Sequence, residues 1–288
     1  MMKILIAEHY GLCFGVRDAI AQAQNLAQTG PLTILGELVH NPVVRQRLVE
    51  IGAREGSLSD FAGVSTPRVM VTAHGASDTA IAAWRATGAD VADGTCPLVR
   101  HAHGQLRRLV NLGYFPIVIG KRNHAEVAGL TGDFPGAIVI ENEADITLLP
   151  ETGPFGVISQ TTQPKEAVLG LVESIRLARP AAEVRFVDTI CQPTKNRQNA
   201  LAKLIHECNA IVVVGGRNSN NTLQLVTAAA AAGLRVFHIE RAEEVKPEWF
   251  GENDVVGLTA GTSTLKETVA VVRERLEAIA AAQSLVLA

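Results

Sequence analysis

Short apolar runs that end in polar loops recur three times along the chain, and a helix-like run follows each. Three kinds of strand align. The first reads LTILGELVHN (32–41), FPIVIGKRNH (115–124) and AIVVVGGRNSN (210–220): apolar, then glycine, then polar. The second reads RVMVTAHGAS (68–77), GVISQTTQ (156–163) and VVGLTAGTS (255–263), each closing on His, Thr or Ser. The third leads into a cysteine, in KILIAEHYGLC (3–13), ADVADGTC (89–96) and EVRFVDTIC (183–191). Between strands the period changes to that of a helix. Leu265, Val269, Val272, Leu276 and Ile279 step by four, three, four and three, which puts them on one buried stripe. Pro97 suits the first turn of a helix that ends near Gly113, and Pro164 does the same for the run after Thr162. Strands that alternate with helices predict parallel sheets and an α/β fold.

The register of the repeat is close. The separation of Cys13 and Cys96 is within one residue of that between His40 and His124, and Cys96 to Cys191 equals His124 to Ser219. His40, His124 and Ser219 are therefore equivalent positions, as are His74, Thr161 and Ser263, with a drift of several residues that insertions explain. The expected organisation is an N-terminal strand and first cysteine loop (1–13) followed by three similar lobes at 14–96, 97–192 and 193–288. In open parallel sheets ligands sit beyond the carboxyl ends of the strands, where all these polar residues fall.

Composition narrows the class. With 47% hydrophobic and 19% charged residues the 288-residue chain is globular, and no apolar run approaches the roughly 18 residues of a membrane helix. The apolar stretch near the start is too short for a signal peptide, so a cytoplasmic location with reduced thiols is expected. A net charge of −3 gives no global attraction to nucleic acid or to an acidic membrane surface, so neither is expected as a partner.

One intracellular cysteine is by default a small buried hydrophobe. Cys13, Cys96 and Cys191 close equivalent strands and are followed by polar residues, Gly or Pro, which favours a shared metal centre. Cys208, in LIHECNAIVVV, lacks that setting and reads as packing. A structural zinc site uses four protein ligands, whereas three leave a position open; on a four-iron cluster the same deficit leaves one iron open to substrate. The histidines His40, His74 and His124 stand at strand ends as donors to an anionic substrate, although any one alone would be a hydrogen-bonded structural residue. In GGRNSNNT, Asn218, Ser219, Asn220 and Asn221 follow a double glycine, as in a phosphate nest, and Ser263 repeats the pattern. Glu126 is the candidate proton donor, because a carboxyl group beside a water-poor centre has a raised pKa. Thr161 and Thr162 are placed to relay the proton or hold a hydroxyl group. Arg197 and Gln198 flank the third cysteine loop as a buttress, but surface charge is the default for Arg197, which is left outside the candidate site.

The motifs GLCFGV, LVHN, AHGAS, DGTCPLV, NHAEV, SQTT, TIC with NRQ, GGRNSNN and TAGTS, in that order, resemble the 4-hydroxy-3-methylbut-2-enyl diphosphate reductase (IspH/LytB) family over almost the whole chain. The resemblance implies three α/β lobes in pseudo-threefold arrangement around one [4Fe–4S] cluster held by Cys13, Cys96 and Cys191. It implies reductive removal of an allylic hydroxyl in the last step of the non-mevalonate isoprenoid pathway, giving isopentenyl and dimethylallyl diphosphate, with electrons from a ferredoxin or flavodoxin. It places His40, His74, His124, Ser219, Asn220, Asn221 and Ser263 on the diphosphate, and Glu126 with Thr161 or Thr162 at the hydroxyl and proton. Asn220 stands where a second serine is frequent, which makes that donor an amide; Ala125 and Leu265 stand where proline is frequent, which alters loop stiffness rather than chemistry. The alternatives are a non-redox hydro-lyase on the same kind of cluster and a zinc-bound structural or regulatory protein.

Overall fold

The computed structural model describes residues 2–285. In chain order its elements are β1 (Lys3–Ile6), α1 (Phe14–Thr29), β2 (Leu32–Leu35), α2 (Pro42–Glu50), β3 (Arg54–Gly56), β4 (Arg68–Val71), α3 (Asp78–Ala86) and β5 (Asp90–Asp93). Next come α4 (Pro97–Asn111), β6 (Phe115–Ile119), α5 (Ala125–Thr131), β7 (Ile138–Ile140), β8 (Phe155–Ser159), α6 (Lys165–Ala178) and β9 (Val184–Phe186). The chain continues with α7 (Gln192–Glu207), β10 (Ala210–Val214), α8 (Asn220–Ala231), β11 (Arg235–Ile239), β12 (Val255–Ala260) and α9 (Lys266–Leu285).

The strands form three four-stranded parallel sheets, ordered β3-β2-β4-β5, β7-β6-β8-β9 and β11-β10-β12-β1. One plan is used three times, so these are three similar α/β lobes. The third sheet takes its cysteine-bearing edge from the first strand of the chain, with Lys3 to Ile6 in register with Val255 to Leu258. Helices cover both faces of a parallel sheet, which is why inner strands such as AIVVV of β10 are apolar throughout and fully buried. On α9 the stripe Val269, Val272, Leu276 and Ile279 packs with Val212, Val214, Val256 and Leu258 of that sheet. Each fully buried aliphatic side chain contributes roughly 1.5–3 kcal/mol. Pro97 opens α4 as the sequence predicts, whereas Pro164 is the residue that caps α6 rather than its first turn.

By packing, the chain forms two compact units. One contains the residues up to Phe14, His40–Val43 and the chain from Gln192, and so holds the sheet of β10–β12 with β1. The other contains Gly15–Val39 and Val44–Cys191, with the two remaining sheets. Among the described residues no helix is long and apolar enough to cross a membrane.

Candidate functional site

The three cysteines occupy the same structural position. Each follows an edge strand, precedes a long helix, and donates its N–H to a carbonyl just beyond the neighbouring strand. Cys13 donates to Thr262 at 3.0 Å, Cys96 to Ala73 at 3.1 Å and Cys191 to Thr161 at 3.0 Å. These carbonyls lie in the loops TAGTS, TAHG and SQTT, so each thiol is tied to the loop that carries Ser263, His74 or Thr161. All three are thiols of intermediate exposure at helix starts. Gly15 in the first turn of α1 abuts the Cys96 sulfur so closely that a Cβ there would collide with it. By contrast Cys208 is buried with Leu204 and Ile211, and burial pushes its thiol up to about 11. It is a packing residue. Thiol sulfur is a soft donor of the kind that suits a metal or cluster.

In the unit of Gly15–Val39 and Val44–Cys191, the structure brings together His74, His124, Glu126 and Thr161. His124 caps α5, and its Nδ1 accepts the Glu126 N–H at 3.1 Å. With Nδ1 accepting, a neutral ring carries its proton on Nε2. The His74 ring stands edge-on to it, with centroids 5.3 Å apart. Glu126 sits in the first turn of α5 and is only 2% exposed. Its Oε1 accepts the Thr161 N–H at 2.6 Å. Desolvation raises its pKa to about 7, against the opposing hydrogen bonds from the Thr161 backbone and side chain. Such a carboxyl group is half protonated near neutrality and can deliver a proton.

Thr162 accepts a hydrogen bond from Gln160 Nε2 at 3.2 Å. Gln160 is fully buried, and its orientation is fixed because its Oε1 accepts the Lys121 N–H at 3.1 Å and the Gln163 amide at 2.9 Å. Sequence reasoning missed this residue. Only its place inside SQTT, next to the candidate Thr161, signalled it.

The other unit brings together His40, Ser219, Asn220, Asn221 and Ser263. Ser219 caps α8 by accepting the Thr222 N–H at 3.3 Å, which leaves its hydroxyl proton to a further acceptor. Asn221 ties the loop after β12 to the start of α7, with Oδ1 accepting the Thr262 N–H at 3.0 Å and Nδ2 donating to Thr194 Oγ1 at 3.4 Å. Asn220 Oδ1 accepts from Gln224 at 3.4 Å. The segment His40–Val43 lies across these loops: Ser263 Oγ donates to the His40 carbonyl at 3.3 Å, and Asn41 Nδ2 to the Ser263 carbonyl at 2.7 Å. Gly216 makes this approach possible, since any Cβ there would strike the His40 carbonyl.

Arg197 corrects the sequence reading. It is not a solvated charge: it is 5% exposed, donating to the Pro193 carbonyl at 2.7 Å and to the Gly11 carbonyl. It therefore braces the loop of Cys13 as well as the chain after Cys191. Gly11 turns with φ +68°, which aims that carbonyl inward.

Three similar parallel lobes, thiols at matching strand ends, paired imidazoles and a buried carboxyl that titrates near neutrality mark an α/β enzyme. Residues 4–277 match the LytB protein family model, and the chain belongs to this family. It is 36% identical over 281 residues to the 4-hydroxy-3-methylbut-2-enyl diphosphate reductase of Geotalea daltonii, covering 97% of this chain and 98% of that one. It is 35% identical to the enzyme of the same name from Aquifex aeolicus, covering 98% and 99%. Among solved structures it is similar to the E-1-hydroxy-2-methyl-but-2-enyl-4-diphosphate reductase of Plasmodium falciparum, with a TM-score of 0.88 at 25% identity over 94% of this chain and 87% of that one. A second, described as (E)-4-hydroxy-3-methyl-but-2-enyl diphosphate reductase, the terminal enzyme of the non-mevalonate pathway, gives 0.68 at 34% identity over 96% and 100%.

Proposed function

We propose that this chain reduces (E)-4-hydroxy-3-methylbut-2-enyl diphosphate to isopentenyl and dimethylallyl diphosphate, the last step of the non-mevalonate pathway. Two electrons and two protons enter, the allylic C–O bond breaks, and the hydroxyl leaves as water. Family membership over nearly the whole chain supports the activity, and the observation that carries the chemistry is Glu126, a buried carboxyl group with a pKa of about 7.

The cofactor in this reading is one [4Fe–4S] cluster held by Cys13, Cys96 and Cys191, consistent with their matching places at strand ends. When bound, such a cluster supplies single electrons, received from a ferredoxin or flavodoxin, and an open iron with Lewis acidity. The protein's own residues do the rest. His40, His74, His124, Ser219, Asn220, Asn221 and Ser263 hold the diphosphate, and binding it there orients the allylic end of the substrate. The Glu126 N–H on Nδ1 fixes the orientation of the His124 ring. Glu126 protonates the departing hydroxyl oxygen, and Thr161 and Thr162 hold that hydroxyl while Thr161 keeps the carboxyl group in place.

The test is product formation by anaerobically purified protein with and without a reductant. Reductant-dependent formation of both isoprenoid diphosphates is expected, from a brown protein that releases acid-labile sulfide. Loss of water from the substrate without reductant would instead indicate a hydro-lyase, and a colourless, zinc-containing, inactive protein would end the reading.

A further inference from the structure

Helix α5 lies along the loop that carries His74 in one continuous register. Gly129 faces that loop so closely that an added Cβ would stand 3.2 Å from the Ala76 Cα and 3.3 Å from the Gly75 carbonyl carbon. About one turn on, Gly132 faces Ser77, whose Cβ would be 2.8 Å away. The next residue, Asp133, reaches the start of α3. Its Oδ2 accepts the Asp78 N–H at 2.7 Å, and its Oδ1 accepts the Thr79 N–H at 2.9 Å and the Thr79 hydroxyl at 2.7 Å. His103 Nε2 lies 3.1 Å from Oδ2, and Arg107 pairs with Asp78 at 2.5 Å.

The first N–H groups of a helix have no partners within it. Ser77 takes the Ala80 N–H at 3.1 Å, and the two donors before it, Asp78 and Thr79, are taken by Asp133. A carboxylate from just beyond the end of α5 thus completes the cap of α3, in the place where negative charge is favoured. One end of this seam carries the candidate imidazoles and the Asp133 contacts close the other. The start of α5 holds His124 and Glu126, and the loop before α3 holds His74, with the rings 5.3 Å apart.

We propose that Asp133 is a positioning residue: by locking the start of α3 to the end of α5, it sets His74 against His124 and so shapes the grip on the diphosphate. The inference rests on the reading of these imidazoles as diphosphate ligands.

The test measures binding of inorganic diphosphate by calorimetry, together with KM and kcat, on the anaerobically prepared protein. In Asp133→Ala the diphosphate Kd and the KM should rise about tenfold with kcat within about twofold, as expected for lost orientation. Asp133→Asn keeps one acceptor oxygen for Thr79 and should fall between parent and alanine variant. Gly129→Ala, which pushes on the same loop from its other contact, should weaken binding in the same direction. In a His74→Ala background, Asp133→Ala should add nothing further. Asp133 and Gly129 variants that melt lower yet bind diphosphate as the parent does would overturn the inference, as would losses that add in full to that of His74→Ala. Weakened binding in His74→Ala with none in the Asp133 variants overturns this inference alone. Unchanged binding in His74→Ala overturns the reading of the imidazoles, and the inference with it.

Discussion

At Glu126, burial opposes charge and two hydrogen bonds from Thr161 favour it; burial prevails, which moves the carboxyl from its ordinary 4.5 to about 7. The sign of the consequence is fixed. Because the folded chain holds this proton more tightly than the unfolded one, the associated stability is fully present below about pH 4.5 and is lost as pH rises through about 7. Turnover that needs the protonated acid should decline over the same upper limb. We expect Glu126→Gln to retain iron and diphosphate binding, to lose turnover by roughly a hundredfold or more, and to abolish that limb of the kcat profile. Urea unfolding at pH 5 and pH 8 should also show the variant gaining on the parent as pH rises. Near-normal turnover in the variant would refute the role. Glu126 was legible in the sequence because helix-start carboxylates beside a candidate histidine are local patterns. Arg197 was not: its acceptor, the Gly11 carbonyl, is 186 residues away in sequence, and no local spacing shows that a charge will be buried against backbone.

Among elements, apolar inner strands and strand ends could be read directly, since β2, β6 and β10 run apolar into glycine and β4, β8 and β12 run into His, Thr or Ser. The fourth strand of each sheet could not. β3 is the three-residue REG and β7 the three-residue IVI, too short to display a period, and edge strands need little apolar sequence because only one side is paired. β11, RVFHI, is long enough but carries its polar residues inside the run. The segment His40–Val43 was legible only in part. LVHN signalled a candidate histidine, but nothing local showed that its backbone crosses the GGRNSNN loop against Gly216. That crossing makes a prediction at this scale. Gly216→Ala must push the His40 carbonyl away and break its bond to Ser263, which should cost about 1–3 kcal/mol as an overpacked contact does. Thermal unfolding should report the loss, with weaker diphosphate binding beside it. A variant that melts and binds like the parent would show that the close approach is not maintained in solution.

For the whole molecule, repetition of one sheet plan three times carries a consequence that a single lobe would not. If three equivalent strand ends supply one ligand each to a common cluster, the three thiols are interchangeable in importance despite lying in different lobes. Cys13→Ser, Cys96→Ser and Cys191→Ser should then each lose most of the iron, the acid-labile sulfide and the brown colour, because a cluster left with two protein ligands is poorly retained. Cys208→Ala is the internal control. Its sulfur packs beside Leu204 and Ile211, so the substitution should cost about 1 kcal/mol of stability and leave the iron content unchanged. Gly15→Ala adds an arm that touches no ligand chemically: its Cβ would displace the Cys96 sulfur, so iron should fall while the three thiols remain countable with a thiol reagent after denaturation. Full iron retention in any one of the three serine variants would remove that cysteine from the ligand set. Equal loss in all three with none in Cys208→Ala is the pattern that a shared, three-thiolate centre requires.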